Sequence, residues 1–251
     1  MGLHGKAVVV TGAGTGIGAA TAIAVAARGA SVALVGRRRD ALEDTAAAAR
    51  DRGARQVVVI AADLAVDADV ERVAEIALAE LDGVDGLVNN AGVGRFAPLR
   101  EADVADLRYM FDLHVTAPAQ LIQAFLPSLV RRRGSVVNVT SVAGSLAAPE
   151  RSFYGATKAA ANHLTRSLAK ELAPAVRVNA VVPGPVDTPI YDQLPLSADG
   201  LADFRAALVA ATPAGRFGTP EEVAPWICAL LDTSAAWMTG VLLPVDGGRC
   251  A

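Results

Sequence analysis

Short apolar runs alternate along the chain with longer segments in which apolar residues recur at helical spacing. Each short run is bounded by glycine, proline or charged residues, a pattern that predicts a buried strand. The predicted strands are Lys6–Thr11, Ser31–Gly36, Gln56–Ala61, Val84–Asn89, Ser135–Thr140, Val176–Val182 and Val241–Val245.

The segments between these strands predict helices. They run from the glycine-rich segment to about Arg28, over Arg38–Asp51 and Asp67–Leu81, from Glu101 to about Arg131, and over Tyr154–Leu172 and Pro220–Leu231. Strands that alternate with helices form parallel sheets with right-handed crossovers. We therefore predict an α/β fold with a doubly wound parallel sheet of about seven strands and helices on both faces, in a single domain over residues 1–251.

One stretch interrupts this alternation. Ile190–Gly215 carries only a short predicted helix around Ala202–Ala210, between irregular ends. A long insertion at the carboxyl side of a sheet is typical of a segment that closes over a substrate. We predict a substrate lid at about residues 190–215.

Composition and charge narrow the classes of function. The net charge of −3 gives no reason to expect nucleic acid or an anionic membrane as a partner. The first residues run directly into a strand, which leaves no room for a secretory signal and favours a cytoplasmic protein. Cys228 and Cys250 have neither metal-binding nor redox spacing, so we expect no metal site.

A glycine-rich segment joins the first strand to the first helix. It reads Thr-Gly-Ala-Gly-Thr-Gly-Ile-Gly from Thr11 to Gly18. Glycines let the backbone approach a pyrophosphate, whose charge then faces a helix N-terminus. The spacing is not G-x-G-x-x-G, and a glycine turn without a ligand is the alternative. The predicted cofactor contacts here are Gly12, Thr15, Gly16, Ile17 and Gly18.

A tyrosine and a lysine one helical turn apart predict acid–base chemistry. Tyr154 and Lys158 share one helix face, with Ser141 upstream. A free phenol has a pKa of about 10, and a neighbouring cation lowers it toward the range useful in general acid–base catalysis. An alanine-rich helix with an incidental Tyr and Lys is the alternative.

Together these motifs resemble the short-chain dehydrogenase/reductase family, in its single-domain branch with a Rossmann-like fold, over nearly the whole chain. The segments that carry the resemblance are Thr11–Gly18, Asn89–Gly92, Ser141 with Tyr154–Lys158, Pro183–Thr188 and Val245–Gly248. The resemblance implies an oxidoreductase that transfers a hydride between a nicotinamide and a carbonyl or secondary alcohol. Tyr154 would be the general acid/base, Ser141 would orient the substrate oxygen, and Lys158 would lower the tyrosine pKa and hold the nicotinamide ribose.

The resemblance also implies cofactor contacts outside the glycine-rich segment. They are Asp63, Leu64, Asn90, Ala91, Gly92, Tyr154, Lys158, Pro183, Gly184, Val186 and Thr188. Asn89 has an alternative role as a tie between two strands, and Asp63 as the cap of the following helix.

The residues after the second strand favour NADP(H) over NAD(H). An acidic residue there would accept hydrogen bonds from the ribose 2′-hydroxyl and repel a 2′-phosphate. This chain has Gly36 instead, followed by Arg37, Arg38 and Arg39. Arginine binds phosphate bidentately, so we expect Arg37 and Arg38 to contact the 2′-phosphate. Three solvated arginines at a helix start are the alternative.

One position departs from the family pattern. The asparagine that usually completes the catalytic set on the long fourth helix corresponds here to His114. Pro118 has no N–H to give to the carbonyl of residue 114 and should kink the helix there, which frees a carbonyl for a relay water. His114 either hydrogen-bonds that water or only fills the space of the asparagine.

The predicted pocket is mainly small and apolar, which favours an apolar ketone or secondary alcohol as substrate. Arg95 and Arg151 are the nearby cations, and each is either solvated or bound to a substrate carboxylate. The family's members usually form homotetramers, and we expect the same here. Two other functions remain open: an NADP(H)-binding sensor or scaffold with little catalysis, and an epimerase or dehydratase of the extended branch.

Overall fold

A seven-stranded parallel sheet organises the computed structural model, which describes residues 2–194 and 196–251. Pro195, inside the predicted lid, lies outside the described residues. The strands are β1 (Ala7–Thr11), β2 (Ser31–Gly36), β3 (Val57–Ala61), β4 (Gly86–Asn89), β5 (Ser135–Val139), β6 (Arg177–Pro183) and β7 (Leu242–Val245). Their order is β3-β2-β1-β4-β5-β6-β7.

Helices cover both faces of the sheet. They are α1 (Gly16–Ala26), α2 (Arg39–Asp51), α3 (Asp67–Glu80), α4 (Val104–Phe111), α5 (Ala117–Arg132), α6 (Ser152–Leu172), α7 (Ala198–Ala210) and α8 (Pro220–Leu231). Three short 3₁₀ turns lie at Val142–Gly144, Tyr191–Gln193 and Thr233–Ala235. Within the described ranges, no helix has the length and apolar character needed to cross a membrane.

Successive residues of each strand point to opposite faces of the sheet, and this alternation creates two cores. Val9 and Leu87 pack with residues of α3, α5 and α6 on one face, whereas Val8 and Val10 pack with residues of α1, α2 and α8 on the other. Because both faces are buried, the strands read as nearly continuous apolar runs. The prediction of a doubly wound, Rossmann-like parallel sheet in a single domain is confirmed.

The strand order reverses between β1 and β4. β1 pairs with β2 on one side and with β4 on the other, so the chain winds outward in opposite directions from this point. In open parallel sheets such a reversal leaves a crevice at the carboxyl ends of the strands, where ligands bind. The glycine-rich segment follows β1, and Ser141 lies just beyond β5, so both are at this edge.

The helical region predicted from Glu101 to about Arg131 is not continuous. α4 ends at Phe111, a π-helical turn spans Asp112–Thr116, and α5 begins at Ala117. Pro118 cannot donate a hydrogen bond to the turn before it, and the wider π turn accommodates that gap. The interruption expected near residue 114 is therefore present as a π turn.

The structured part of segment 190–215 is longer than predicted. α7 begins at Ala198 instead of about Ala202, and the side chain of Ser197 accepts a hydrogen bond of 3.1 Å from the N–H of Gly200. The prediction missed this N-cap because Gly200 lowers helix propensity within the first turn.

Candidate active site

The glycine-rich loop between β1 and α1 brings backbone groups to the crevice. Gly12 has φ = +64°, a conformation that side chains other than that of glycine rarely adopt. A Cβ on Gly18 would lie 2.2 Å from the carbonyl oxygen of Gly12 and 2.4 Å from Nδ2 of Asn90. Gly18 therefore permits close packing of α1 on the loop, and it does not line the crevice.

Two polar side chains fix this loop to the end of β4. Nδ2 of Asn90 donates to the carbonyl oxygens of Thr11 (2.9 Å) and Gly12 (3.2 Å). The hydroxyl of Thr11 accepts from the backbone N–H groups of Asn90 (2.9 Å) and Ala91 (3.0 Å). These four hydrogen bonds join the loop to Asn90 and Ala91. They also supply partners for backbone groups that are shielded from water.

A cavity of about 680 Å³ runs along the carboxyl edge of the sheet. Its volume is within the usual range for small-molecule sites. Every predicted site residue except Gly18 lines it: Gly12, Thr15, Gly16, Ile17, Arg37, Arg38, Asp63, Leu64, Asn90, Ala91, Gly92, His114, Ser141, Tyr154, Lys158, Pro183, Gly184, Val186 and Thr188.

The three arginines after β2 have different surroundings. Arg39 lies 3.7 Å from the carboxylate of Glu43 on the same helix and does not line the cavity. Arg37 donates to the hydroxyl of Tyr109 at 3.2 Å, and Arg38 is the exposed residue that precedes α2. Arg37 and Arg38 therefore present the positive charge at this end of the cavity.

Tyr154 and Lys158 lie in the first turns of α6, with Ser141 opposite them at the end of β5. Both side chains on α6 are buried. Nζ of Lys158 donates to the carbonyl of Val139 at 3.3 Å and lies 5.7 Å from the centroid of the Tyr154 ring. Burial lowers the pKa of Lys158 to about 8, because a charged ammonium loses its hydration there.

Burial and two neighbouring side chains shift the pKa of the Tyr154 phenol. Burial raises its pKa, while a hydrogen bond with the Ser141 hydroxyl and the charge of Arg151 lower it. Ser141 and Arg151 stabilise the phenolate, but burial destabilises it more, so the pKa of Tyr154 is raised overall. The role of Lys158 in lowering this pKa stays a prediction, whereas Arg151 is a cation that the sequence analysis had not connected with Tyr154.

His114 is buried, and both of its ring nitrogens have protein partners. Nε2 lies 3.1 Å from the backbone N–H of Val93, which donates to it, and Nδ1 lies 2.9 Å from the Thr157 hydroxyl. That hydroxyl donates to the carbonyl of Tyr154 at 2.8 Å, so it accepts from Nδ1–H. These bonds define a neutral imidazole with its proton on Nδ1.

Burial lowers the pKa of His114 well below 6.5, and the charge of Lys158 acts in the same direction. A neutral imidazole has a single acceptor nitrogen, and the N–H of Val93 already occupies it. The ring is thus held between the loop at Val93 and helix α6, with no nitrogen free for a water. The geometry favours the space-filling alternative for the side chain.

The structure distinguishes the alternative roles of Asn89, as a tie between strands, and of Asp63, as a helix cap. Nδ2 of Asn89 donates to Oδ1 of Asn138 at 2.9 Å and so joins β4 to β5, which favours the structural role. Oδ1 of Asp63 accepts from the N–H of Ala65 at 3.1 Å within its own turn. Asp63 does not cap α3, whose N-cap is Val66, and it lines the cavity.

The sequence analysis did not name Phe204, Leu208, Ala211 and Arg249 individually, although the first three lie within the predicted lid, and all four line the cavity. The first three recur at positions i, i+4 and i+7, so the helical pattern contained a signal for one shared face. Arg249 had no local signal. It reaches the cavity because the preceding segment packs on Gly184, whose N–H donates to the carbonyl of Val245 at 3.1 Å.

Comparisons with known proteins agree with this architecture. The family model described as enoyl-(acyl carrier protein) reductase matches residues 12–249. A cis-4-hydroxycyclohexanecarboxylate dehydrogenase from Sinomonas cyclohexanicum is 40% identical over 249 residues, covering 98% of this chain and 97% of that protein.

Two solved structures have nearly the same fold as this chain. A short-chain type dehydrogenase/reductase from Mycobacterium marinum has a TM-score of 0.91 at 32% identity, covering 99% of this chain and 96% of the other. L-Sorbose reductase from Gluconobacter frateurii, in complex with NADPH and L-sorbose, has a TM-score of 0.92 at 29% identity, covering 99% and 98%.

Proposed function

The chain belongs to the short-chain dehydrogenase/reductase family of oxidoreductases, and on this basis we propose that it is an NADP(H)-dependent reductase of ketones and dehydrogenase of secondary alcohols. The observation that carries the proposal is the position of Tyr154, Ser141 and Lys158 in one cavity with the glycine-rich loop. A protein that only bound the dinucleotide would not need this acid–base set.

The residues at the glycine-rich end of the cavity fit a dinucleotide. The loop at Gly12 and Gly16 exposes backbone to the cavity at a helix N-terminus, where a pyrophosphate is stabilised. Asp63 and Leu64 would flank the adenine, and Asn90–Gly92, Pro183, Gly184, Val186 and Thr188 would line the nicotinamide side. When bound, the nicotinamide supplies the hydride chemistry.

Positive charge near β2 supports NADP(H) over NAD(H). Gly36 contributes no carboxylate, and Arg37 and Arg38 face the cavity. Guanidinium groups bind phosphate bidentately, so these two would hold the 2′-phosphate. L-Sorbose reductase, with 29% identity, has NADPH in its solved complex.

Three side chains would transfer the proton and bind the substrate oxygen. Tyr154 gives its proton to the carbonyl oxygen during reduction and takes one from the alcohol during oxidation, and Ser141 hydrogen-bonds the same oxygen. Lys158 holds the ribose hydroxyls and returns a proton to the tyrosine. With a pKa of about 8, this lysine exchanges protons readily near neutral pH. His114 would position helix α6 and take no part in the proton transfer.

The segment around α7 would act as the lid over the substrate. Ile190, Tyr191, Phe204 and Leu208 line the cavity from this side.

We also propose that the chain forms a homotetramer. β7 is an edge strand of the sheet, and Trp237 near it is fully exposed. Light scattering coupled to size exclusion would measure the assembly.

The decisive experiment mixes the full chain with NADPH, then NADH, and a panel of ketones while the nicotinamide absorbance is followed. We expect NADPH to be consumed faster than NADH, with one secondary alcohol formed per cofactor oxidised. Binding of NADPH without turnover of any ketone would contradict the proposal and favour a sensor.

A further inference from the structure

Two arginines line the substrate end of the cavity. Arg151 is half-buried at the start of α6, and Arg249 reaches the same space from the C-terminal segment. Burial lowers the pKa of Arg151 most, Tyr191 opposes this shift, and the charge of Arg249 lowers the pKa further. Two guanidinium groups in one partly desolvated space repel each other unless an anion lies between them.

Neither guanidinium has a carboxylate partner among residues 2–194 and 196–251. Other arginines nearby do: Arg95 pairs with Asp106, and Arg205 lies 2.7 Å from Asp187. Glu150 precedes Arg151 but is exposed and has the weakest influence on its pKa. The two cavity arginines thus differ from Arg95 and Arg205 in lacking a neutralising group.

Protein contacts hold both guanidinium groups in place without neutralising them. The guanidinium carbon of Arg151 lies against two neighbouring aromatic rings, 5.5 Å from the centroid of Phe96 and 4.8 Å from that of Phe204. Nη1 of Arg249 donates to the carbonyl of Leu208 (3.1 Å) and to the hydroxyl of Thr212 (3.2 Å). An arginine fixed by stacking keeps its edge donors for a ligand.

We propose that the substrate carries a carboxylate, which Arg151 binds with help from Arg249, at the end of the cavity away from the cofactor. The proposal rests on the function proposed above and specifies the class of substrate. It narrows the expected class of mainly apolar ketones and alcohols to keto acids and hydroxy acids, and for Arg151 it selects the carboxylate-binding alternative.

Tyr154 and Arg151 share one neighbouring side chain. The centroid of Phe96 lies 5.3 Å from that of Tyr154 in an edge-on contact and 5.5 Å from the guanidinium carbon of Arg151. The proposed acid and the proposed carboxylate ligand therefore contact the same aromatic ring, within reach of one small substrate. A keto acid with its carbonyl and its carboxylate at opposite positions of a six-membered ring is a rigid probe of that spacing.

The test compares 4-acetylbenzoate with its methyl ester, each reduced by NADPH and a proton to the secondary alcohol. We expect kcat/KM to be about 10- to 100-fold higher for the acid, the range given by one charge-assisted, partly buried hydrogen-bonded pair. In Arg151→Gln the ratio of acid to ester should fall close to one, and Arg151→Lys should restore part of it. Arg95→Gln, outside this cavity, should leave the ratio unchanged.

A binding measurement separates this proposal from the oxidoreductase proposal. Calorimetry with benzoate, with and without NADPH, should show binding to the wild-type chain that weakens at least about tenfold in Arg151→Gln. Equal kcat/KM for acid and ester would overturn the carboxylate site and leave the oxidoreductase function intact. If no ketone is reduced, benzoate binding that depends on Arg151 still supports the site, and its absence overturns it.

Discussion

The two ends of the cavity are built in different ways. At the cofactor end the centre of the lining is backbone of the contiguous glycine-rich loop, fixed by Asn90. At the substrate end it consists of side chains from distant parts of the chain, chiefly Phe96, Arg151, Phe204 and Arg249. One end depends on how closely backbone segments approach, and the other on which side chains converge.

This difference determines how each end responds to mutation. An added methyl group at Gly12 or Gly18 meets backbone, which cannot move without disturbing β1 and α1. A changed side chain at Arg151 or Arg249 lies outside the two cores and alters the ligands accepted. We therefore expect the cofactor end to tolerate little change, and the substrate end to determine specificity.

Removal of a single atom at the substrate end should have the largest effect on turnover. Tyr154→Phe deletes the proposed acid, and kcat should fall about 10²- to 10⁴-fold, the usual contribution of a positioned proton donor. NADPH affinity, measured by fluorescence, should change little. Tyr191→Phe makes the same change in the same cavity, where burial raises the pKa of Tyr191 to about 12, and should keep most activity. Equal losses in both variants would refute the assignment of Tyr154.

Addition of a single methyl group should damage the cofactor end. Gly18→Ala places a Cβ 2.2 Å from the carbonyl of Gly12, so we expect a loss of about 1–3 kcal/mol in the free energy of unfolding and of about tenfold in NADPH affinity. The control is Gly36→Ala, whose Cβ would meet Leu42 at an ordinary 3.4 Å. Unchanged NADPH affinity in Gly18→Ala would show that the loop tolerates more than its geometry indicates.

A carboxylate at Gly36 should change which dinucleotide is preferred. A Cβ at position 36 would meet Leu42 at an ordinary 3.4 Å, and the carboxylate of Gly36→Asp would repel a 2′-phosphate while accepting hydrogen bonds from a 2′-hydroxyl. We expect the ratio of kcat/KM for NADPH over NADH to fall about tenfold. Gly36→Ala should leave the ratio unchanged. A ratio that is also unchanged in Gly36→Asp would place the 2′ position elsewhere.

The same contrast explains what the sequence could predict. Strands and helices depend on local periodicity, so the seven strands and the doubly wound sheet could be predicted. The contiguous Thr11–Gly18 and the pair at Tyr154 and Lys158 could also be recognised. The sequence had no means of bringing Arg249 to Arg151, because their proximity depends on how the last segment packs against Gly184. Nor could it determine the partners of His114, which come from Val93 and Thr157.

The smallest expected effect concerns His114, which lies between the two ends of the cavity. Burial and Lys158 lower the pKa of His114 below the 6.5 of an unfolded chain, so the unfolded state takes up the proton first as pH falls. Stability is therefore fully present above pH 6.5 and is lost below it, at up to about 1.4 kcal/mol per pH unit until the folded state is protonated. His114→Asn removes this titration and loses the hydrogen bond to Thr157, which costs about 1 kcal/mol at neutral pH.

Urea unfolding at several pH values should show that the wild type is more stable than His114→Asn near neutrality and that this difference in stability closes in acid. The exposed His163 provides the control, because His163→Asn should follow the wild type. Parallel curves for the wild type and His114→Asn would mean that the imidazole is not held neutral.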